Sequence, residues 1–186
     1  MTELEKLRQE CLSCNRCLLC RTRTNVVFGV GAENTKIVFV GEGPGQQEDL
    51  SGEPFVGAAG QLLDEMLSIV DLGRHNCYIA NIVKCRPPQN RDPLPQEQDA
   101  CIDYLWRQLE ILQPKIIVCL GRIAALRLMD ENFRITRDHG KWMEKNGVHY
   151  MAMYHPSALL RDVNKRPETF TDLLSLRQKA RELGCL

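Results

Sequence analysis

Ten residues near the start of the chain, CLSCNRCLLC from Cys11 to Cys20, carry four cysteines at unbroken three-residue steps, out of nine in 186 residues. A Cys-x-x-Cys pair is half of a metal site and needs two further ligands. If the stretch were one helix, each step would turn about 300°, leaving Cys11 and Cys20 on nearly opposite sides, unable to share an ion. It also departs from the ferredoxin run, which ends in a longer gap and a proline where this chain has Arg21. A complete site inside the decapeptide is therefore disfavoured. Cys77 and Cys119 sit within apolar runs and read as small core residues, and Cys185 is terminal. Cys85, ending an apolar run, and Cys101, beyond a proline-rich loop, remain as the second pair. Spacing does not decide whether Cys11/Cys14, Cys14/Cys17 or Cys17/Cys20 joins them, nor whether the ion is zinc or a [4Fe–4S] cluster.

Other residues could do chemistry of a different kind. Asn81 interrupts the apolar run CYIANIV. A buried amide without partners costs about 1–3 kcal/mol, so it either caps a loop or meets a ligand with its donor and acceptor. The stretch GEGPGQQED is a tight turn whose backbone N–H groups can approach a ligand closely. It fails as a dinucleotide motif, because the last glycine spacing is absent and acidic residues follow. Taken alone, Glu42 and Glu48 read as a solvated acidic loop, Phe55 as a core anchor, and His155 as a loop histidine before Pro156.

Four β-branched runs must position these residues: KIVFV (36–40), CYIANIV (77–83), KIIVCL (115–120) and VHYMAM (148–153). Helical patterns cover 59–70, 96–112, 122–129 and about 168–183. Strands alternating with helices predict an α/β fold with a parallel sheet covered on both faces. In such folds ligands collect at the carboxyl ends of strands, which singles out GEGPGQQED, KCRPPQNRDP, GR and YHPSALLRD.

The chain is 44% hydrophobic, has no repeat or linker, and is expected to form one domain over 1–186. No apolar run is long enough to span a membrane. The acidic, helix-prone start MTELEKLRQE is unlike a signal or transit peptide, so a cytoplasmic setting with reduced thiols is expected. Net charge is zero, from 24 basic and 24 acidic side chains. A nucleic-acid partner would therefore need a local basic patch, for which Arg21, Arg23, Lys84, Arg86, Arg91, Arg161, Lys165 and Arg166 are the candidates.

Several segments together resemble the family 4 (thermostable-type, iron–sulfur) uracil-DNA glycosylases. These are CNRC (14–17) ahead of RTRTNVVFG, GEGPGQQEDLSGEPFVGAAGQLLD, NIVKCRPPQNRDPLPQE, the trailing Cys101, and YHPSALLR. They occur in family order and span about residues 14–161. The resemblance implies a three-layer α/β/α domain with a central four-stranded parallel sheet and an N-terminal cluster-binding segment. It implies a structural [4Fe–4S] cluster on Cys14, Cys17, Cys85 and Cys101, with Cys11 and Cys20 as bystanders. The implied activity is hydrolysis of the N-glycosidic bond of uracil flipped out of single- or double-stranded DNA, by a monomer. Glu42 would position water and favour the cationic sugar. His155 would stabilise the departing uracil anion. Gly43, Glu48, Phe55 and Asn81 would hold the base, and Ser157, Leu159 and Arg161 would contact DNA. Leu159, with Leu160, would enter the space left by the base, although a leucine there can also simply pack inward.

One stretch departs from the family: TRDHGKW has His139 where Arg is usual, which puts one DNA contact in doubt. KCRPPQNRDP lacks the inserted basic loop of relatives that trap uracil DNA covalently, which favours turnover. The competing readings are a non-catalytic nucleic-acid-binding or polymerase-associated module on this scaffold, and an electron carrier using the cluster alone. Intact Glu42, Asn81 and His155 oppose the first. Reversible redox cycling would mark the second.

Overall fold

The computed structural model describes residues 1–186. Its strands are β1 (Val30–Gly31), β2 (Ile37–Gly41), β3 (Tyr78–Asn81), β4 (Ile116–Leu120), β5 (Met143–Lys145) and β6 (Val148–Met153). Its helices are α1 (Glu3–Leu12), α2 (Gln46–Ser51), α3 (Ala58–Ile69), α4 (Pro95–Leu112), α5 (Arg122–Leu128), α6 (Ile135–Asp138), α7 (Pro156–Arg161) and α8 (Arg166–Glu182). No helix is long and apolar enough to cross a membrane.

The four β-branched runs become β3, β2, β4 and β6, paired in parallel in that order. The expectation of four strands is corrected to six, because β1 adds to β3 and β5 to β6, both antiparallel, at the two edges. β1 has only two residues, too few to show alternation, and β5 is mostly exposed, so neither makes an apolar run. A hairpin signal for β5 was present in Asn146–Gly147, whose φ values of 51° and 79° suit the tight turn joining β5 to β6.

Successive strand residues point to opposite faces, which divides the core in two. Val38, Val40, Ala80, Ile117 and Cys119 meet Leu4 and Leu7 of α1, Leu105 and Leu109 of α4, and Ala125 and Leu128 of α5. Ile37, Phe39, Ile79, Ile116 and Val118 meet Leu63 and Leu67 of α3 and Leu173 and Leu176 of α8. The result is a three-layer α/β/α arrangement whose parallel strands all deliver their carboxyl ends to one rim.

Candidate active site

At that rim lies a cavity of about 470 Å³. Its wall comes from the segments following β2 (Glu42, Gly43, Gly45, Glu48), β3 (Asn81, Asp92), β4 (Gly121, Arg122) and β6 (Tyr154, His155, Ser157, Arg161), with Phe55 across it. Each expected base-binding or catalytic residue is therefore brought together. Asp92, Gly121, Arg122 and Tyr154 join them without having been assigned a role, although each lies in a post-strand segment singled out by position.

Asn81 is the last residue of β3 and only 2% exposed. Its Oδ1 is buried and has no hydrogen-bond partner within the protein. Buried polar groups are normally paired, so an unpaired amide oxygen on a cavity wall marks a ligand contact. The neighbouring Gly41 leaves room for it: a Cβ there would lie 2.5 Å from Asn81 Oδ1 and 2.6 Å from Phe55 Cζ. Phe55 itself has φ of 54°, a left-handed conformation uncommon for an aromatic residue. It is held there by Arg74, which donates from Nη1 to the Pro54 carbonyl at 2.8 Å and from Nη2 to the Phe55 carbonyl. Gly60 admits the strained turn, since a Cβ there would fall 1.8 Å from the Phe55 oxygen.

The Phe55 and His155 rings lie 5.6 Å apart. His155 caps α7, its Nδ1 accepting from the Ser157 backbone N–H at 3.1 Å. That bond occupies the Nδ1 lone pair, so the neutral ring carries its proton on Nε2. Burial pushes His155 down to about 4, and the positive charge of Arg161 acts in the same direction. The ring is thus a neutral donor. Glu42 follows β2 and lies beside Gly121, where a Cβ would come 2.9 Å from its Oε1. Burial raises its pKa and Asp92 adds to the rise, while the Ile123 amide, Arg122 and Arg161 oppose it. Glu48, on α2, packs against Gly45 and Gly57.

Leu159 requires a correction. It is fully buried in the α3/α8 core layer, whereas Leu160 is 43% exposed. The helical turn of α7 puts the two leucines on different sides. The basic candidates are corrected too. Lys84 is 1% exposed and off the surface, and half-buried Arg23 is drawn toward the cysteines, donating to Cys85 Sγ at 3.3 Å. Arg91 is held by Glu97 at 2.6 Å, Arg86 donates to Asn90 Oδ1, and Arg161 is exposed at the cavity. His139 is partly buried, with Nδ1 2.7 Å from Asp172 and Nε2 3.1 Å from Glu168, and its ring lies 4.8 Å from that of Tyr154. It braces the cavity wall from behind.

A second pocket holds the cysteines. α1 stops at Leu12, so the decapeptide is not one helix, and Cys14 and Cys17 fall in the loop beyond. Cys14, Cys17, Cys85 and Cys101 share the pocket, and Cys11 and Cys20 also line it. Two donors already address the sulfurs: the Lys84 backbone N–H meets Cys101 Sγ at 3.3 Å, and Arg23 meets Cys85 Sγ. Such outer contacts suit thiolate ligands, which are soft donors for iron or zinc. This donor set fits a thiolate-bound metal centre.

The description Uracil DNA glycosylase superfamily matches residues 28–176. The chain is similar to three proteins named type-4 uracil-DNA glycosylase. It is 50% identical to that of Archaeoglobus fulgidus, over 92% of this chain and 90% of that protein. Identity is 46% with that of Sulfurisphaera tokodaii, over 97% and 86%. It is 45% with that of Thermotoga maritima, over 86% and 84%. With these matches covering most of the chain, and most of the cavity wall lying in the segments that carried the resemblance, the chain belongs to the type-4 uracil-DNA glycosylase family.

Proposed function

We propose that the protein is a monofunctional uracil-DNA glycosylase. It hydrolyses the N-glycosidic bond of uracil in DNA, leaves an abasic site and so initiates base excision repair. The observation that carries this reading is the unpaired Asn81 Oδ1, buried on the wall of a cavity that also presents Phe55 and a neutral His155.

A uracil taken out of the stack would lie on the Phe55 ring. Asn81 Oδ1 would accept from uracil N3–H while Nδ2 donates to O4, and the Gly43 backbone N–H lies against the base. Cytosine reverses that pair of groups and would leave buried polar atoms unmatched. Glu48 would crowd the C5 methyl of thymine. As the C1′–N1 bond breaks, its electron pair goes to the base, and His155 Nε2–H donates to the O2 of the anion. The Glu42 carboxylate stabilises the cationic sugar and orients the water whose oxygen bonds to C1′ as one of its protons passes to that carboxylate. Ser157 and Arg161 contact the DNA backbone, and Leu160, in place of Leu159, fills the gap left by the base.

The same reading places a [4Fe–4S] cluster on Cys14, Cys17, Cys85 and Cys101. These four thiols share one pocket, and soft thiolates suit an iron–sulfur centre. Bound there, the cluster would supply a structural cross-link between the N-terminal loop, β3 and α4. We take the protein to act as a cytoplasmic monomer.

The test uses labelled oligonucleotides with one uracil opposite guanine, with thymine and cytosine controls, followed by alkali. Strand breakage only at uracil, lost in Asn81→Ala, is the expected result. No breakage from folded, iron-loaded protein would leave the binding-module reading instead.

A further inference from the structure

Lys84 is among the largest fully buried side chains of the protein, and no step above uses it. An ammonium within an apolar layer is costly unless its partners are well placed. Its Nζ donates to the main-chain carbonyl of Asn81 at 3.1 Å and to Gln108 Oε1 at 2.6 Å. Gln108, fully buried on α4, in turn donates to the Phe28 carbonyl at 3.0 Å. The backbone of Lys84 is equally engaged: its N–H meets Cys101 Sγ, and its carbonyl accepts from Val27 at 2.7 Å.

Asn81 needs such a support. On the β2 side its strand is continued, with Ile82 donating to the Gly41 carbonyl and Val83 to that of Glu42. On the other side β1 pairs only with Tyr78 and Ile79, so the ladder stops short of Asn81. There the Lys84 ammonium takes over, tying the Asn81 peptide to α4. An amide that must match two atoms of a base loses the match when its peptide shifts by a fraction of an ångström.

We propose that Lys84 is a positioning residue for uracil recognition: by clamping the Asn81 carbonyl to Gln108, it fixes the peptide from which the Asn81 amide reads the base. This rests on the cavity being the uracil pocket. It also gives the cysteine pocket a direct mechanical link to base selection, because Lys84 adjoins Cys85 and bonds Cys101.

The experiment uses full-length, iron-loaded protein. Lys84→Met, Gln108→Leu, Asn81→Ala and the Lys84→Met/Asn81→Ala pair are compared by kcat and KM on a uracil oligonucleotide. Inhibition by free uracil, iron content and melting temperature are measured in parallel. Lys84→Met is expected to weaken inhibition by free uracil about tenfold and to lower kcat/KM by a similar factor. KM for DNA should change less, since the phosphate contacts remain. In the Asn81→Ala background the same change should add almost nothing, the mark of one residue acting through another. Gln108→Leu should shift uracil inhibition in the same direction by a smaller factor.

A purely structural role predicts lower melting and iron content with unchanged inhibition by uracil, and additive losses in the double variant. Either result overturns the clamp. If Lys84→Met does not load iron, Gln108→Leu decides, and unchanged uracil inhibition there sinks it. Unmodified protein that does not excise uracil would overturn the function and the clamp together. Excision by that protein with unshifted inhibition in the variants would overturn the clamp alone.

Discussion

The two pockets of this protein are built on opposite plans although one short segment, Asn81 to Cys85, contributes to both. The base cavity is open and lined mostly by glycines and polar groups carried on the turns that follow parallel strands. The cysteine pocket is lined mostly by apolar and sulfur groups gathered from the end of α1, the loop after it, the end of the β3 segment and α4. The first gains its chemistry from groups left unpaired, such as Asn81 Oδ1. The second gains its integrity from groups already engaged, such as the donors to Cys85 and Cys101. Recognition needs unsatisfied groups held rigidly, and the Lys84 clamp proposed above would supply that rigidity from the cysteine side.

The comparison predicts that lesions on the two sides should separate. The largest effect is expected for His155→Ala, which removes the proposed donor to the leaving base: kcat should fall about 10²–10³-fold, with iron content unchanged and melting lowered only by the few degrees that loss of the α7 cap costs. An equal loss of stability would break the division between the pockets. Cys85→Ala should do the reverse. It should abolish the visible absorbance expected of the proposed cluster and lower the melting temperature by about 10 °C or more, because binding of a structural metal is folding free energy. A colourless variant that melts like the parent would show that the cysteine pocket bears no load.

Gly41→Ala tests how tightly the open cavity is nevertheless built. The added Cβ would meet Asn81 Oδ1 at 2.5 Å and Phe55 Cζ at 2.6 Å, so free-uracil binding should weaken about tenfold or more while the iron stays. Normal inhibition by uracil in that variant would place the base elsewhere. The smallest effect is a displacement along the pH axis. Burial and then Asp92 raise Glu42, so the acid limb of kcat/KM should lie above the ordinary glutamate range of about 4.3. Asp92→Asn removes a negative neighbour, makes Glu42 easier to ionise and should move the limb to lower pH. Arg122→Gln removes a positive one and should move it higher. A limb indifferent to both would mean that another group limits the reaction in acid.

The two plans also explain what could be read from the chain alone. The base cavity was legible because a parallel sheet sends every strand end to one rim, so residues far apart in sequence are gathered by position alone. Even Asp92, Gly121 and Arg122, assigned no role, lay in segments that this rule marks. The cysteine pocket was not legible in that way. Six thiols line it, and no periodicity distinguishes a ligand from a neighbour when the backbone between them is irregular. Leu159 could not be told from Leu160 for a related reason: adjacent residues on a single short turn face core and solvent, and identical types carry no sign of which is which. The edge strands escaped because pairing at an edge asks little of the side chains, and only Asn146–Gly147 advertised one of them.

The strained turn at Phe55 reaches beyond the cavity. Gly60 and Arg74 line no part of it, yet one leaves the space and the other supplies the hydrogen bonds that keep the ring in its unusual backbone conformation. In a genetic screen for strains with raised mutation rates, changes at these two positions should therefore score alongside changes in the cavity. The target for loss of function extends into an outer ring of residues that never touch the nucleotide.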